Sequence, residues 1–422
     1  MHYFIRNSCI RIPLSFKDES WFKQIVSELT RTSRDYNQPD QTVTIRYVDT
    51  RDGNILIPRC YPIEKFGHSA ITYLNEGEDI PSYIEFKSKW KNELQEDGFA
   101  HLMANERGVL CMQPGEGKTV VSIGAICALK KKAIVLVHKD SLATQWKDRF
   151  LEHSTIKEED IGRLESSKYE EAFSKPVVLT TVQTLVSMIK RVDNIEEILQ
   201  RAGFGVAIWD ECHTSISAEG FSKTSLYLPC MRTYGLSATP KRSDGNTDII
   251  SMHAGDNYQP KGSGDTLTPR IVVLHFSHGA VSNHRKYIYD HFDPVKKTRY
   301  YKFDKSKYLA MLTSSKNNKY VSFLRQIAAH IHKTGRTSLF LSDRIKILDK
   351  IAVGIKNKDD IGFFIPRSKE KRDSDLLKPF VFSTYGSARD GTDRKELDCL
   401  VMATNTSNLE QCIGRIVRHA VN

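Results

Sequence analysis

Two rhythms of apolar and polar positions run through the first 87 residues. Thr42–Tyr47 and Asn54–Pro58 are strand-like runs separated by the turn dipeptide Asp52-Gly53, while Trp21–Leu29 repeats its apolar residues at helical spacing. From Ser88 onward the pattern changes. Short apolar runs at Gly108–Met112, Ala133–Val137, Val177–Thr180, Val206–Trp209 and Thr233–Ser237 alternate with longer helix-like segments. Such alternation predicts a parallel sheet covered by helices on both faces. The polar, glycine-rich stretch from Ser243 to Pro269, with GDNYQPKGSGD inside it, predicts a loop or linker. A second α/β series then follows at Ile271–His275, Ser338–Ser342, Phe380–Ser383 and Cys399–Met402, with Tyr301–Lys333 rich in Lys, Arg and helix formers. The expected organisation is a small α+β module over 1–87 and an α/β domain over 88–245. A linker over 246–268 leads to a second α/β domain over 269–422.

At 422 residues the chain is too long for one ordinary core, which agrees with that division. Hydrophobic residues make up 40% and charged residues 27%, values of a folded globular protein rather than a disordered one. No apolar run approaches the roughly 20 residues that span a bilayer. The N-terminal MHYFIRNSCIRIPLSF lacks a continuous apolar core, so a secretory signal is not expected and the protein is expected in the cytoplasm. Cysteines stand at 9, 60, 111, 127, 212, 230, 399 and 412 without a Cys-x-x-Cys pair, which predicts reduced thiols and no zinc site. A net charge of +11 favours a polyanionic partner and by itself decides nothing more.

Chemistry enters at GVLCMQPGEGKTVVSIGA, a strand, a glycine loop and a helix in that order. Gly115 and Gly117 clear side chains from the place where backbone N–H groups curl around phosphates. Lys118 supplies positive charge to them, and the Thr119 hydroxyl suits Mg²⁺. Met112 stands where the strict phosphate-loop pattern has glycine. The strand-ending run GVAIWDECHTS carries Asp210 and Glu211 to a strand end, where α/β sheets gather ligand chemistry. There Asp210 would hold Mg²⁺ through water, and Glu211 would orient and deprotonate an attacking water. His213 either couples hydrolysis to a neighbouring motif or is an ordinary hydrogen-bonded histidine.

Ser237-Ala238-Thr239-Pro240 completes a trio with MQPGEGKT and DECH that resembles motifs I, II and III of superfamily 2 helicases. The resemblance runs over residues 88–420 and implies two tandem RecA-like domains working with ATP and Mg²⁺ on DNA. LQEDGFAHL resembles the Q motif, implying that Gln95 reads adenine, with Met112, Gln113, Pro114, Gly115, Glu116, Gly117, Lys118 and Thr119 around the nucleotide. AIVLVHKDSLATQWKDRF resembles motif Ia, with Gln145-Trp146 typical of the XPB and UvsW branch, and implies nucleic-acid contacts at His138 and Lys139. VVLTTVQTL resembles motif Ib, implying the same for Thr181 and Gln183.

In the second half TSLFLSDRIKIL resembles motif IV, with Ser342, Asp343 and Arg344 on its loop. VFSTYGSARDGTD resembles motif V, so Ser342, Arg344, Thr384 and Tyr385 are expected on DNA, and Gly391 with Asp393 on the nucleotide. NLEQCIGRIVRH resembles motif VI. It implies coupling through Gln411, together with His213, Ser237 and Thr239, and arginine fingers at Arg415 and Arg418, which share one helical face at i and i+3. GFFIPRSKEKRD resembles motif IVa, with Pro366 where glycine is frequent.

The GLSATPKRSDG and STYGSARDGTD segments are most similar to UvsW-type phage helicases. That implies branch migration of forked and Holliday-junction-like DNA in replication, recombination or repair, monomeric action, and the host cytoplasm if the chain is phage-encoded. The module 1–87 would grip duplex or junction DNA, with Arg46, Arg51, Arg59 and Lys65 either on phosphate or serving solubility. No nuclease or methyltransferase signature occurs, and the chain ends soon after Arg418, so no further C-terminal domain is expected. Three alternatives stand beside this reading: an RNA helicase, a double-stranded DNA translocase without strand separation, and a catalytically dead binding module.

Overall fold

The computed structural model describes residues 2–34, 42–113, 115–165, 169–215, 222–238, 247–262, 270–276, 288–293, 298–314, 319–365, 372–391, 394, 396–406 and 412–413. It divides into two compact units, Met1–Asp265 and Thr266–Asn422.

The first unit is built on a seven-stranded sheet. Its order is Ile161–Arg163, Val177–Thr181, Ala133–Val137, Val206–Asp210, Arg232–Ser237, Arg107–Cys111 and Asn257–Tyr258, with every pairing parallel. Ala133–Val137 is buried at every position, which is why its sequence is an unbroken apolar run. Helices Glu93–Ala104, Lys118–Leu129 and Asp140–His153 belong to this unit. Buried Leu102, Val121, Ile126, Trp146 and Phe150 pack with the sheet in one core. Helix Val182–Arg191 contributes Leu185, Val186 and Ile189 to the other. The sheet is thus covered on both faces, as the alternation predicts.

An N-terminal sheet in the order Asp49–Arg51, Asn54–Pro58, Cys9–Pro13, Tyr3–Arg6, Ser69–Thr72 belongs to the same unit. Ile10, Ile12, Phe22, Ile25 and Tyr47 form its own core with helix Ser20–Glu28. Cys9 and Leu56 instead join the core that holds Leu226, Leu228 and Cys230 of the parallel-sheet domain. Polar contacts fasten the seam. Ser8 donates to the Leu226 carbonyl at 2.6 Å, and Arg59 donates to the Cys230 carbonyl at 2.6 Å and to the Thr233 hydroxyl. This corrects one expectation: Arg59 is 2% exposed and spends its guanidinium inside the protein, away from any phosphate. Arg51 is committed to the Asp193 carbonyl, and Lys65 to Glu28, while Arg46 is exposed.

The second unit carries a four-stranded parallel sheet in the order Ile361–Phe364, Phe380–Thr384, Ser338–Ser342, Cys399–Met402. Helices Lys319–Lys333 and Ile345–Ala352 bury Leu324, Ile331, Ile347, Leu348 and Ile351 against Phe340, Phe380 and Phe382.

Three local expectations are corrected. The stretch read as a linker contains helix Asp248–Ala254 and strand Asn257–Tyr258. Ile249, Ile250 and Ala254 bury themselves there, Tyr258 pairs beside Leu110, and its hydroxyl donates to Asp97 at 2.7 Å. Long-range contacts override a composition that reads as loop. Ile271–His275 is not a strand: Ile271, Val272, Val273 and Leu274 are exposed, and among the described residues no strand pairs with them. A β-strand needs a ladder neighbour, which periodicity cannot supply. The helix-rich reading of Tyr301–Lys333 holds for Lys305–Leu312 and Lys319–Lys333, but Thr298–Phe303 pairs antiparallel with Ile288–Asp293.

Candidate nucleotide and nucleic-acid site

Strand Arg107–Cys111 delivers the chain to the phosphate loop at the carboxyl edge of the first sheet, the edge where such sheets bind ligands. Gly115 and Gly117 both adopt left-handed backbone angles, φ +90° and +96°, and Gly117 is the N-cap of helix Lys118–Leu129. Their side-chain-free geometry turns the loop and aims the helix N-terminus, a site for anions, into it. Lys118 Nζ donates to the Met112 carbonyl at 2.7 Å, so its charge lies over the loop itself. The Glu116 carboxylate accepts from the Gln113 backbone N–H and closes the turn. Thr119 is half-buried in the first turn of the helix.

Gln95 lies on the neighbouring helix, capped by Asn92, and is 3% exposed. Its Nε2 donates to the Glu116 carbonyl at 2.9 Å, and its Oε1 accepts from Lys91 N–H at 3.0 Å. The Q-motif glutamine therefore braces the phosphate loop directly.

Two strands away in the sheet, Val206–Asp210 ends in the acidic pair. Asp210 is fixed from two sides: its Oδ1 accepts from Glu211 N–H at 3.0 Å and its Oδ2 from Trp146 Nε1 at 2.9 Å. Burial, then the Glu211 charge, push the Asp210 carboxyl upward, opposed by the Trp146 hydrogen bond, Lys118 and His138. Lys118 and Asp210 thus belong to one electrostatic site. Glu211 stands at φ +49°, a left-handed conformation that costs a non-glycine residue roughly 1–2 kcal/mol. Backbone outliers of this kind gather at functional sites. His213 Nδ1 lies 3.4 Å from Glu211 Oε2 and shares a hydrogen bond with Ser237 Oγ at 2.9 Å. The contact links the acidic pair to the end of strand Arg232–Ser237, and both readings of His213 are compatible with it.

The residues present fit ATP with Mg²⁺. Among the described residues no group of three or more His, Cys, Asp or Glu forms a metal cage. Mg²⁺ in nucleotide sites takes one or two protein oxygens plus phosphates and water, for which Asp210 and Thr119 suffice.

The nucleic-acid candidates fall on the same carboxyl edges. His138 and Lys139 follow strand Ala133–Val137, and Thr181 ends strand Val177–Thr181 and caps the next helix. Exposed Gln183 donates to the His138 carbonyl at 3.2 Å and joins the two loops. In the second unit Thr384 ends its strand, its hydroxyl accepting from Ser387 N–H at 3.2 Å, and Arg344 follows strand Ser338–Ser342 and bonds Ser306.

Two candidates are not on an open surface. Ser342 is fully buried and its Oγ accepts from Arg344 N–H at 3.1 Å, while Tyr385 turns its hydroxyl onto the Thr404 carbonyl. Both are used by the fold: Ser342 ends its strand and points inward by the pleat, and Tyr385 opens helix Tyr385–Gly391 half-buried. Gly391 ends helix Tyr385–Gly391. Pro114, Thr239, Asp393, Gln411, Arg415 and Arg418 lie outside the described residues.

Trp146 is marked in the sequence only as half of the Gln145-Trp146 pair of motif Ia, and only the fold shows a carboxylate at its N–H.

Comparison with known proteins finds a restriction-enzyme subunit family and helicases. The family model described as type III restriction enzyme, res subunit, matches residues 82–242. A putative ATP-dependent RNA helicase from Acanthamoeba polyphaga mimivirus is 26% identical over 88% of this chain and 69% of its own length. A DNA 3'-5' helicase XPB from Kineococcus radiotolerans is 28% identical over 43% of this chain, which spans only 33% of that relative. The crystal structure of the UvsW helicase from bacteriophage T4 aligns over 61% of this chain and 99% of its own with 21% identity and a TM-score of 0.43, too loose a likeness to carry an argument.

Proposed function

We infer that this chain, which is similar over part of its length to XPB-type helicases, is an ATP-dependent superfamily 2 DNA motor acting on branched duplexes. The observation that carries this reading is the joined network of Gln95, the phosphate loop, Lys118, Asp210, Glu211, His213 and Ser237 on one sheet edge. Loops bearing His138, Lys139, Thr181 and Gln183 lie on that same edge.

In this account the Gly115–Gly117 backbone and Lys118 hold the β- and γ-phosphates. Asp210 and Thr119 would hold Mg²⁺, which would supply charge neutralisation at the phosphates. Glu211 takes the proton of the attacking water. His213, held between Glu211 and Ser237, passes the state of the nucleotide to the strand end below motif III. Asp393 and Gly391 at the nucleotide, Thr239 and Gln411 in coupling, and Arg415 and Arg418 as fingers complete the assignment on the strength of the sequence motifs.

Each unit would offer its own contacts to a nucleic-acid backbone: His138, Lys139, Thr181 and Gln183 in the first, Arg344 and Thr384 in the second. Phosphate contacts carry no base information, which suits a motor indifferent to sequence. The excess of 62 Lys and Arg over 51 Asp and Glu favours the same polyanion.

Branch migration of forks and Holliday junctions in recombination and repair is the finer proposal, supported by the UvsW-like GLSATPKRSDG and STYGSARDGTD segments. A second reading, RNA unwinding, rests on the printed name of the mimivirus relative. The test is ATP-dependent strand displacement on matched forked DNA, four-way DNA junctions, plain DNA and RNA duplexes. Preferential turnover of the branched DNA is expected. Preferential displacement of the RNA would overturn the DNA reading.

A further inference from the structure

We propose that Trp146 is a positioning residue for nucleotide hydrolysis, its indole N–H holding the Asp210 carboxylate in the orientation that receives Mg²⁺. The proposal deepens the reading of Asp210 as the magnesium carboxylate and rests on it.

Trp146 is among the largest fully enclosed side chains of the protein, and Ala143 and Phe150 at helical spacing from it are equally enclosed. Packing alone explains a tryptophan there. It does not explain the orientation, in which Nε1 meets Asp210 Oδ2 at 2.9 Å across 64 positions of sequence. Buried indole N–H groups take a hydrogen-bond partner, and here that partner is a carboxylate oxygen at a strand end.

The geometry has a directional consequence. Glu211 N–H occupies Asp210 Oδ1 and Trp146 occupies Oδ2, so both oxygens are held and the carboxylate plane is fixed. A carboxylate that places a metal through water must present a set lone-pair direction, and a ligand free to rotate about χ2 does not. A hydrogen bond to a charged group contributes more than one between neutral partners.

The helix that carries Trp146 starts at Asp140, straight after Lys139, and the strand before it lies beside Val206–Asp210 with Leu136 paired to Trp209. Trp146 therefore reaches the acidic pair from the helix that opens at the His138–Lys139 loop. No residue of the phosphate loop is needed for that contact.

The test uses the full chain and a nucleotide that is not turned over. Binding of adenylyl imidodiphosphate is titrated with and without Mg²⁺ for the wild type, Trp146→Phe and Asp210→Asn. The phenylalanine fills most of the space and removes the N–H. Loss of a hydrogen bond to a charged group predicts that Mg²⁺ is required at about tenfold higher concentration in Trp146→Phe, with Mg²⁺-free binding unchanged. In a folded variant, a merely structural tryptophan would alter both binding arms together, and that result overturns the proposal. So does a Mg²⁺ requirement equal to wild type while Asp210→Asn has lost it. If Asp210→Asn itself keeps the wild-type requirement, the magnesium reading of Asp210 fails and this inference falls with it.

Should Trp146→Phe not fold, the chain is labelled with ¹⁵N at its four indoles. One N–H signal is expected to shift in Asp210→Asn and also when Mg²⁺ is added to analogue-bound wild type. Absence of such a shared signal overturns the proposal.

Discussion

Gln95 Nε2 donates to the Glu116 carbonyl at 2.9 Å, and a Cβ added to Gly117 would fall 2.3 Å from that same nitrogen. A methyl at position 117 would press on the Gln95 amide, and the phosphate loop is braced from outside its own helix.

Gly117→Ala meets two obstacles at once, the clash with Gln95 and a left-handed φ of +96°. Backbone strain of this kind costs about 1–3 kcal/mol. Nucleotide affinity, read by titration with a fluorescent ADP analogue, is expected to fall roughly 10- to 100-fold. Adding Gln95→Ala removes the clash and leaves the φ strain, so the double variant recovers only part of the loss. Wild-type affinity in Gly117→Ala would contradict the loop geometry.

His213 sits 2.9 Å from Ser237 Oγ and 3.4 Å from Glu211, between chemistry and motif III. His213→Ala removes the link and spares the groups assigned to hydrolysis. ATP turnover is expected to stay within about threefold of wild type, while strand displacement per ATP drops about tenfold, the scale of one lost hydrogen bond. Equal losses in both measurements would mean that His213 acts in hydrolysis itself.

The N-terminal module separates fold from recognition in two arginines. Arg59→Ala leaves the Cys230 carbonyl and Thr233 hydroxyl without a buried donor, and is expected to destabilise the first unit by about 2–4 kcal/mol in chemical denaturation. Arg46 is exposed, so Arg46→Ala is expected to change stability by less than about 0.5 kcal/mol. If the module grips DNA, Arg46→Ala lowers the salt dependence of binding by about one ion. An unchanged salt slope removes Arg46 from the DNA surface.

Much of this architecture was legible before any coordinates. Strand Ala133–Val137 falls where the apolar run predicts it, because a strand buried on both faces writes its whole length in apolar residues. The phosphate loop and the acidic strand end were legible for a chemical reason: phosphate needs glycine and lysine, and water activation needs a carboxylate. Other features depend on distant partners. Helix Asp248–Ala254 and strand Asn257–Tyr258 fold within a stretch that reads as linker because the helix buries Ile249, Ile250 and Ala254 in distant cores while Leu110, Asp97 and His101 receive Tyr258, which stacks 3.6 Å from His101. Ile271–Leu274 carries strand composition and is exposed instead. Arg59 reads as a surface cation and is buried, and Trp146, marked in the sequence only by its motif, holds a carboxylate. A side chain's partner across more than 60 positions is not written in its neighbours.

Nucleotide hydrolysis at this sheet edge is the central claim, and Glu211→Gln tests it most directly. The variant keeps the shape of the site and removes the base. With forked DNA present, it is expected to bind ATP with wild-type affinity and to lose turnover by at least about a hundredfold, the usual contribution of a positioned general base. Turnover near the wild-type rate in a folded, ATP-binding Glu211→Gln protein would contradict the account.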